Sequence, residues 1–170
     1  MLTFNYCPVC AAPLRDAVVD GERRRACVQQ PCTFVHYDNP TPVVAAIVEY
    51  EGSVVLARNS AWRGEFYGLI TGFLERGETP EDGVMREVKE ELGLDAQSAT
   101  LVGVYGFDRM NQVIIGYHVP ASGTIVLSEE LSAYKCVKPE DCQVWPAGTG
   151  HLLRDWLRAR GHEPTMLKLP

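Results

Sequence analysis

Apolar positions along this chain fall mostly into short runs of strand character, and only two segments switch to a helical period. "VVAAIVEY" and "SVVLAR" are β-rich runs separated by Glu51-Gly52, which predicts a hairpin. "FYGLITGFLE" contains a further strand. "LVGVYGFD" and "QVIIGYHVP" predict another pair, joined across "RMN". Residues 125–147 are irregular, with one more strand around "AYKCV". The helical period first rises over residues 80–92. Thr79 stands at the N-cap, Pro80 at the first helical position, and Asp82 completes a T-x-x-D capping box. Gly93 is placed to end that helix in the left-handed conformation. Near the C-terminus, "HLLRDWLRAR" puts Leu152, Leu153, Trp156 and Leu157 on one face of a second, amphipathic helix. Strand hairpins with helices inserted predict a layered α+β or mixed α/β domain.

The N-terminal segment reads differently. "HYDNPTP", residues 36–42, is turn-rich and carries two prolines, which predicts a boundary between residues 1–40 and residues 41–170. Four of the six cysteines lie before it: Cys7, Cys10, Cys27 and Cys32. Between the pairs, two strand-like runs flank Asp20-Gly21, a type I′ turn signal. Two cysteine knuckles around a hairpin describe a small zinc ribbon, with four thiolates holding Zn²⁺ tetrahedrally. Disulfides and a metal-free ribbon are the other readings. A core this small needs a staple, which favours metal. Arg23-Arg24-Arg25 is expected to be a solvated edge strand rather than an RNA contact. Cys136 and Cys142 are expected to be buried small hydrophobes rather than nucleophiles.

Composition and charge narrow the function classes. The chain has 170 residues, enough for one ordinary domain with a small appendage, and no apolar run approaches a membrane span. The first residues lack the pattern of a secretory signal, so a cytoplasmic protein is expected. Formal net charge is −6, and residues 72–95 account for most of it, with eight acidic and three basic side chains. That balance argues against a nucleic-acid track, which recruits Lys and Arg. On a helix over 80–92, Glu87, Glu90 and Glu91 fall at about 0°, 300° and 40° around the axis and share a face. Glu87 and Glu91 are an unfavourable i,i+4 pair of like charges. Arg86 can relieve Glu90 but cannot neutralise three carboxylates. A solvated acidic face and a site for hard divalent cations are the two explanations.

The spacing separates them. Gly72, five residues, Glu78, seven residues, then Arg86-Glu87-Val88-Lys89-Glu90-Glu91-Leu92-Gly93-Leu94 matches every fixed position of the Nudix box, GX5EX7REUXEEXGU with U aliphatic. Over residues 42–160 the chain resembles the Nudix hydrolase family, which implies an α/β/α sandwich with a mixed sheet, here preceded by the ribbon. The resemblance further implies Mg²⁺- or Mn²⁺-assisted hydrolysis of a nucleoside diphosphate linked to another moiety. Glu87, Glu90 and Glu91 would then ligate metal, with Glu90 the leading candidate for general base. Arg86 would orient Glu87 or Glu78, and Gly72 would let the loop backbone pass close to the helix. A ribbon before such a domain is similar to the NADH-pyrophosphatase branch. However, "VYGFDRMNQVIIGYHV" lacks that branch's Ser-Gln-Pro-Trp-Pro-Phe-Pro motif, and Ser132 stands where the branch carries a further acidic ligand. Glu129 and Glu130 are the neighbouring carboxylates. Relatives acting on ADP-ribose or FAD fit equally, so the implied substrate is a small ADP-containing nucleotide giving AMP. A non-catalytic ADP-ribose or NAD sensor and an RNA-cap-directed pyrophosphatase are the rival readings. Candidate substrate contacts are Arg58 and Arg63 for phosphate and Phe66, Tyr67 or Phe73 for a base. The resemblance also allows a homodimer.

Overall fold

The computed structural model describes residues 4–167 and divides into two compact units, Met1–Pro40 and Thr41–Pro170. In the first unit, β1 (Leu14–Val19), β2 (Glu22–Cys27) and β3 (Val35–His36) form an antiparallel sheet in that order. Asp20 and Gly21 both have positive φ, 54° and 81°, and Val19 pairs directly with Glu22. This is the two-residue turn whose twist matches that of the strands it joins. The triplet lies on the middle strand of the three, but the two-residue β3 pairs only with Arg25 and Ala26, so among the described residues Arg23 and Arg24 keep the open edge that was expected and Arg25 does not. Arg23 and Arg25 both reach Asp16 on β1, at 3.7 and 3.5 Å. Arg24 donates to the Tyr37 carbonyl at 3.1 Å, and its guanidinium lies 4.7 Å from that ring's centroid.

The second unit is built on a seven-stranded mixed sheet. Its main path runs β10 (Leu131–Val137), β5 (Ser53–Asn59), β4 (Thr41–Tyr50), β9 (Gln112–Ser122), β7 (Asp95–Ala96). In addition β6 (Ile70–Phe73) pairs with β4, and β8 (Thr100–Phe107) pairs with β9. Only β4 and β9 run parallel among these pairs; the others are antiparallel. The expected Glu51-Gly52 hairpin forms, both residues again at positive φ. A parallel bridge between β11 (Gln143–Val144) and β12 (Thr165–Met166), which periodicity does not signal, closes the C-terminal segment.

Strand β4 shows why its sequence is continuously apolar. Val43, Ala45 and Ile47 are buried beneath α2 (Thr149–Ala159), among Leu152, Leu153, Trp156 and Leu157. Val44, Ala46 and Val48 are buried on the other face, among Val84, Val88 and Leu92 of α1 (Pro80–Leu92). A strand covered on both faces cannot alternate apolar with polar. The result is the α/β/α sandwich. Cys142 is buried as expected, but Cys136 is exposed, because β10 is an edge strand with one face in solvent. Among the described residues, no helix is long and apolar enough to cross a membrane.

The ends of α1 fix where its acidic face points. Thr79 Oγ1 accepts from the Asp82 backbone N–H at 3.2 Å, and the Asp82 carboxylate takes the Thr79 hydroxyl at 2.7 Å. At the other end Gly93 has φ 70°, and its N–H donates to the Lys89 carbonyl. A Cβ on Gly93 would also crowd the Val126 side chain at 3.2 Å. Gly93→Ala should therefore destabilise the protein by about 1–2 kcal/mol, the cost of a left-handed non-glycine residue. Urea unfolding should show a lower midpoint with an unchanged slope.

Candidate active site

Gly72 on β6 faces Glu87 so closely that a Cβ there would overlap the Glu87 carboxylate. The glycine is therefore what lets the helix set this carboxylate directly against the sheet. One turn further, Glu91 is 9% exposed. Glu90 points outward, with its side chain 59% exposed. The three carboxylates thus share the predicted face but differ in depth: at 3.6 residues per turn Glu91 lies nearest around the axis to Val84, Val88 and Leu92, which pack on the sheet, and Glu90 lies farthest from them.

Arg86 joins this face to the loop before it. Its Nη1 donates to Glu87 Oε1 at 2.7 Å and to Glu90 Oε2 at 2.9 Å. Its Nε and Nη2 donate to the two Glu78 oxygens at 3.1 and 2.9 Å, and Nη2 also reaches the Phe73 carbonyl at 3.2 Å. Glu78 in turn accepts from the Glu75 N–H. The Arg86 hydrogen bonds, with the Glu75 amide, hold the Glu78 carboxyl below its usual range. Arg86 itself is held firmly charged, chiefly by Glu78. One planar fork thus ties together residues 73, 78, 87 and 90.

Glu91 receives nothing from this network. No hydrogen bond or ion pair reaches its carboxylate among the described residues. Burial, and then the neighbouring charges of Glu87, Glu130 and Glu90, push its carboxyl up to about 8. Glu87 is raised too, by burial that outweighs Arg86. Glu130 is the carboxylate that motif spacing could not place. The Val126 and Ser128 amides donate to the Leu92 and Glu91 carbonyls at 2.8 and 3.0 Å, stitching the loop before β10 onto the end of α1. That carries Glu130 to the cleft beside Glu91. Its only sequence signal was its nearness to Ser132.

The acidic groove has a volume of about 410 Å³, and Gly72, Phe73, Glu75, Arg86, Glu87, Glu90, Glu91 and Glu130 line it. It fits a hard cation on two observations: five carboxylates for one guanidinium, and a recessed carboxylate with no donor. Phe73 is at its rim, 60% exposed. Phe66 and Tyr67 lie away from the acidic residues; Phe66 stands in an adjoining apolar lobe and Tyr67 under Lys135. Arg63 is exposed and lines neither space. Arg58 also lines neither, because its Nε donates to Ser132 Oγ at 2.9 Å across the β5–β10 pair.

In the first unit, the sulfur atoms of Cys7, Cys10, Cys27 and Cys32 all lie within 4.8 Å of one another, and none is in a disulfide. Cys7–Cys32 and Cys10–Cys27 are separated by 3.6 and 3.5 Å. Four thiolates about 2.3 Å from a tetrahedral ion would stand about 3.8 Å apart, so the sulfurs are within about 1 Å of the spacing that metal would need. Burial opposes the Cys7 thiolate, but the Val9 and Cys10 amides outweigh it and bring the thiol down to about 7.

The NUDIX domain family model matches residues 39–157. A protein of Pseudomonas fluorescens named NAD-capped RNA hydrolase NudC is 30% identical over 126 residues, 74% of this chain and 44% of that protein. Its namesake from Pseudomonas putida is 29% identical over 146 residues, 85% of this chain and 51% of the relative. The chain therefore spans about half the length of these curated relatives. A crystal structure of a NUDIX hydrolase from Nitrosomonas europaea superposes with a TM-score of 0.77 at 23% identity, covering 96% of this chain and 97% of the other. An ADP-ribose pyrophosphatase from Streptococcus suis gives 0.58 at 20% identity, covering 76% and 100%. At these identities the two structures show a shared fold.

The unpaired Glu91 makes the metal-free protein sensitive to pH in a defined direction. Its carboxyl rises from the ordinary 4.5 in the unfolded chain to about 8 when folded. The folded state therefore binds the extra proton, and stability falls as pH rises between those values. Glu91→Gln should flatten this slope and exceed the parent in stability at pH 8.5 by about 1–3 kcal/mol, with little difference at pH 4.5. Thermal melts in chelator at the two pH values test it.

Proposed function

The chain belongs to the NUDIX family, and on that premise we propose that it is a divalent-metal-dependent pyrophosphohydrolase acting on an ADP-containing substrate such as ADP-ribose, NAD(H) or FAD. The observation that carries this reading is the recessed, donor-free Glu91 among Glu87, Glu90 and Glu130. A binding module has no need to bury an uncompensated carboxylate beside three others.

Glu87 and Glu91, set back against the sheet, suit ion holding, and Glu90 and Glu130 complete an all-oxygen set for Mg²⁺ or Mn²⁺. Such an ion lowers the pKa of water and offsets charge on the pyrophosphate. Glu90, the most exposed of the three helix carboxylates, is the proton acceptor for the attacking water. Water adds to one phosphorus, the bridging P–O bond breaks, and two phosphomonoesters leave, one of them AMP. Arg86 positions Glu87 and Glu90 and anchors Glu78, so that the loop after β6 keeps its shape. Gly72 keeps Glu87 against the strand. In the first unit, Cys7, Cys10, Cys27 and Cys32 hold structural Zn²⁺. Similarity to proteins named NAD-capped RNA hydrolase favours a second reading of the same bond cleavage, with RNA on the far side of the diphosphate.

The deciding assay offers NADH, NAD⁺, ADP-ribose, FAD, nucleoside triphosphates and NAD-capped RNA with Mg²⁺ or Mn²⁺, and reads released phosphomonoester. Cleavage of at least one ADP-containing substrate is expected; nucleotide binding without turnover of any would refute the reading. Glu90→Gln should lower kcat by about 10²–10⁴-fold while Mn²⁺ binding persists. Glu91→Gln should instead weaken Mn²⁺ binding along with turnover. Cys7→Ser should release zinc, measurable by elemental analysis, and lower the melting temperature of the N-terminal unit.

A further inference from the structure

Three cavities of the second unit are lobes of one cleft, because Thr71 on β6 lines all of them. The acidic groove is the first. A small space of about 70 Å³, between Trp62 and the Glu91–Glu130 pair, is the second. The third is an apolar lobe of about 300 Å³, walled by Trp62, Phe66, Phe107 and Trp145. Val43, Thr71 and Gln112 belong to both this lobe and the acidic groove. A molecule with its charged centre over the carboxylates would therefore extend into an aromatic box without leaving the cleft.

The box is assembled from distant segments. Trp62 and Phe66 come from the loop between β5 and β6, Phe107 from the end of β8, and Trp145 from beyond β11. Their rings form a chain, Trp62 to Phe66 at 5.4 Å and Phe66 to Trp145 edge-on at 5.2 Å. Trp62 remains 44% exposed, leaving a broad π-surface open on the cleft. Gly68 leaves room for it, since a Cβ there would come within 3.1 Å of the indole. Two polar groups share the lobe. The amide of Gln112 makes no side-chain hydrogen bond, and the guanidinium of Arg109 has no hydrogen bond or ion pair, among the described residues. Apolar walls with a few uncommitted polar groups are the marks of a small-molecule subsite.

We propose that the apolar lobe is the base subsite, that it stacks adenine against Trp62, and that Gln112 reads the edge of that base. This deepens the pyrophosphatase reading and rests on it. A primary amide offers one donor face and one acceptor, which match the N6–H donor and N7 acceptor of adenine. The volume lies at the lower end of small-molecule pockets, enough for one base and too little for both rings of a dinucleotide. Arg109 decides which ring enters: its unpaired positive charge repels an oxidised nicotinamide and tolerates neutral adenine. The same guanidinium, uncommitted within the protein, is free to meet a phosphate oxygen.

Calorimetric titration of the metal-free full chain with AMP, oxidised nicotinamide mononucleotide and ribose 5-phosphate tests the assignment without requiring turnover. AMP should bind about tenfold or more tightly than either of the others, in line with the worth of one base stacked on an aromatic side chain. Trp62→Ala should abolish the advantage of AMP over ribose 5-phosphate, and Trp62→Phe should restore most of it. Gln112→Leu, which leaves the aromatic walls intact, should weaken AMP and leave ribose 5-phosphate unchanged. Equal affinity for AMP and ribose 5-phosphate, or tighter binding of the nicotinamide nucleotide, would overturn the proposal. A chain that distinguishes AMP in this way yet cleaves no pyrophosphate would keep the base subsite and refute the hydrolase reading. Cleavage of ADP-ribose without that discrimination would do the reverse.

Discussion

One guanidinium serves three carboxylates at the heart of the second unit and leaves a fourth, Glu91, without a donor. Arg86 can satisfy Glu78, Glu87 and Glu90 because its planar donors fan out toward the loop, the sheet side and the next helical turn. It has no donor left for Glu91. A helix does not place like charges at i,i+4 and bury one of them without a compensating partner, since each choice costs stability. In the metal-free protein that compensation is a proton, which is why the Glu91 carboxyl is pushed up to about 8; the cation proposed above would take the proton's place.

The sandwich serves that placement. Apolar residues on both faces of β4 hold α1 and α2 on opposite sides of the sheet, so α1 cannot tilt away when its acidic face repels itself. Gly72 removes the one side chain that would push the helix off β6 at Glu87. The two ends of α1 are secured independently, by Thr79 at the start and by Gly93 with the 126–128 backbone at the finish. The latter contact has a second effect, because the strand that follows begins beside Glu130. Closing the helix and completing the acidic cluster are thus one structural event.

Charged and aromatic side chains are divided along the cleft. Carboxylates from α1 and the loop before β10 occupy one end, and aromatic rings from three separated segments occupy the other. Thr71 and Gln112 stand where they meet. This division suits a substrate with a charged middle and a flat apolar end. In the N-terminal unit the four cysteine sulfurs lie within 4.8 Å of one another, so the Zn²⁺ proposed above would give that small sheet a cross-link.

Local order was decided by the sequence itself. The hairpin turns at Asp20-Gly21 and Glu51-Gly52, the extent of α1 and its caps, the cysteine knuckles and the shared face of Glu87, Glu90 and Glu91 all depend on residues within one or two turns of each other. Backbone sterics and helical period act at that range. What only the tertiary structure decided depends on distant segments meeting. The partnering of β2 by β3 took Arg25, though not Arg23 or Arg24, from an edge to the interior of its sheet. The edge position of β10 exposed Cys136 and drew Arg58 to Ser132. The helical period turned Glu91 toward the packed face and Glu90 away from it, but the loop carried onto the end of α1 by the Val126 and Ser128 amides is what brings Glu130 beside Glu91. Glu130, Trp62, Trp145 and the hairpin pair Phe107 and Gln112 reach one cleft from four places in the chain, and no local period encodes that convergence.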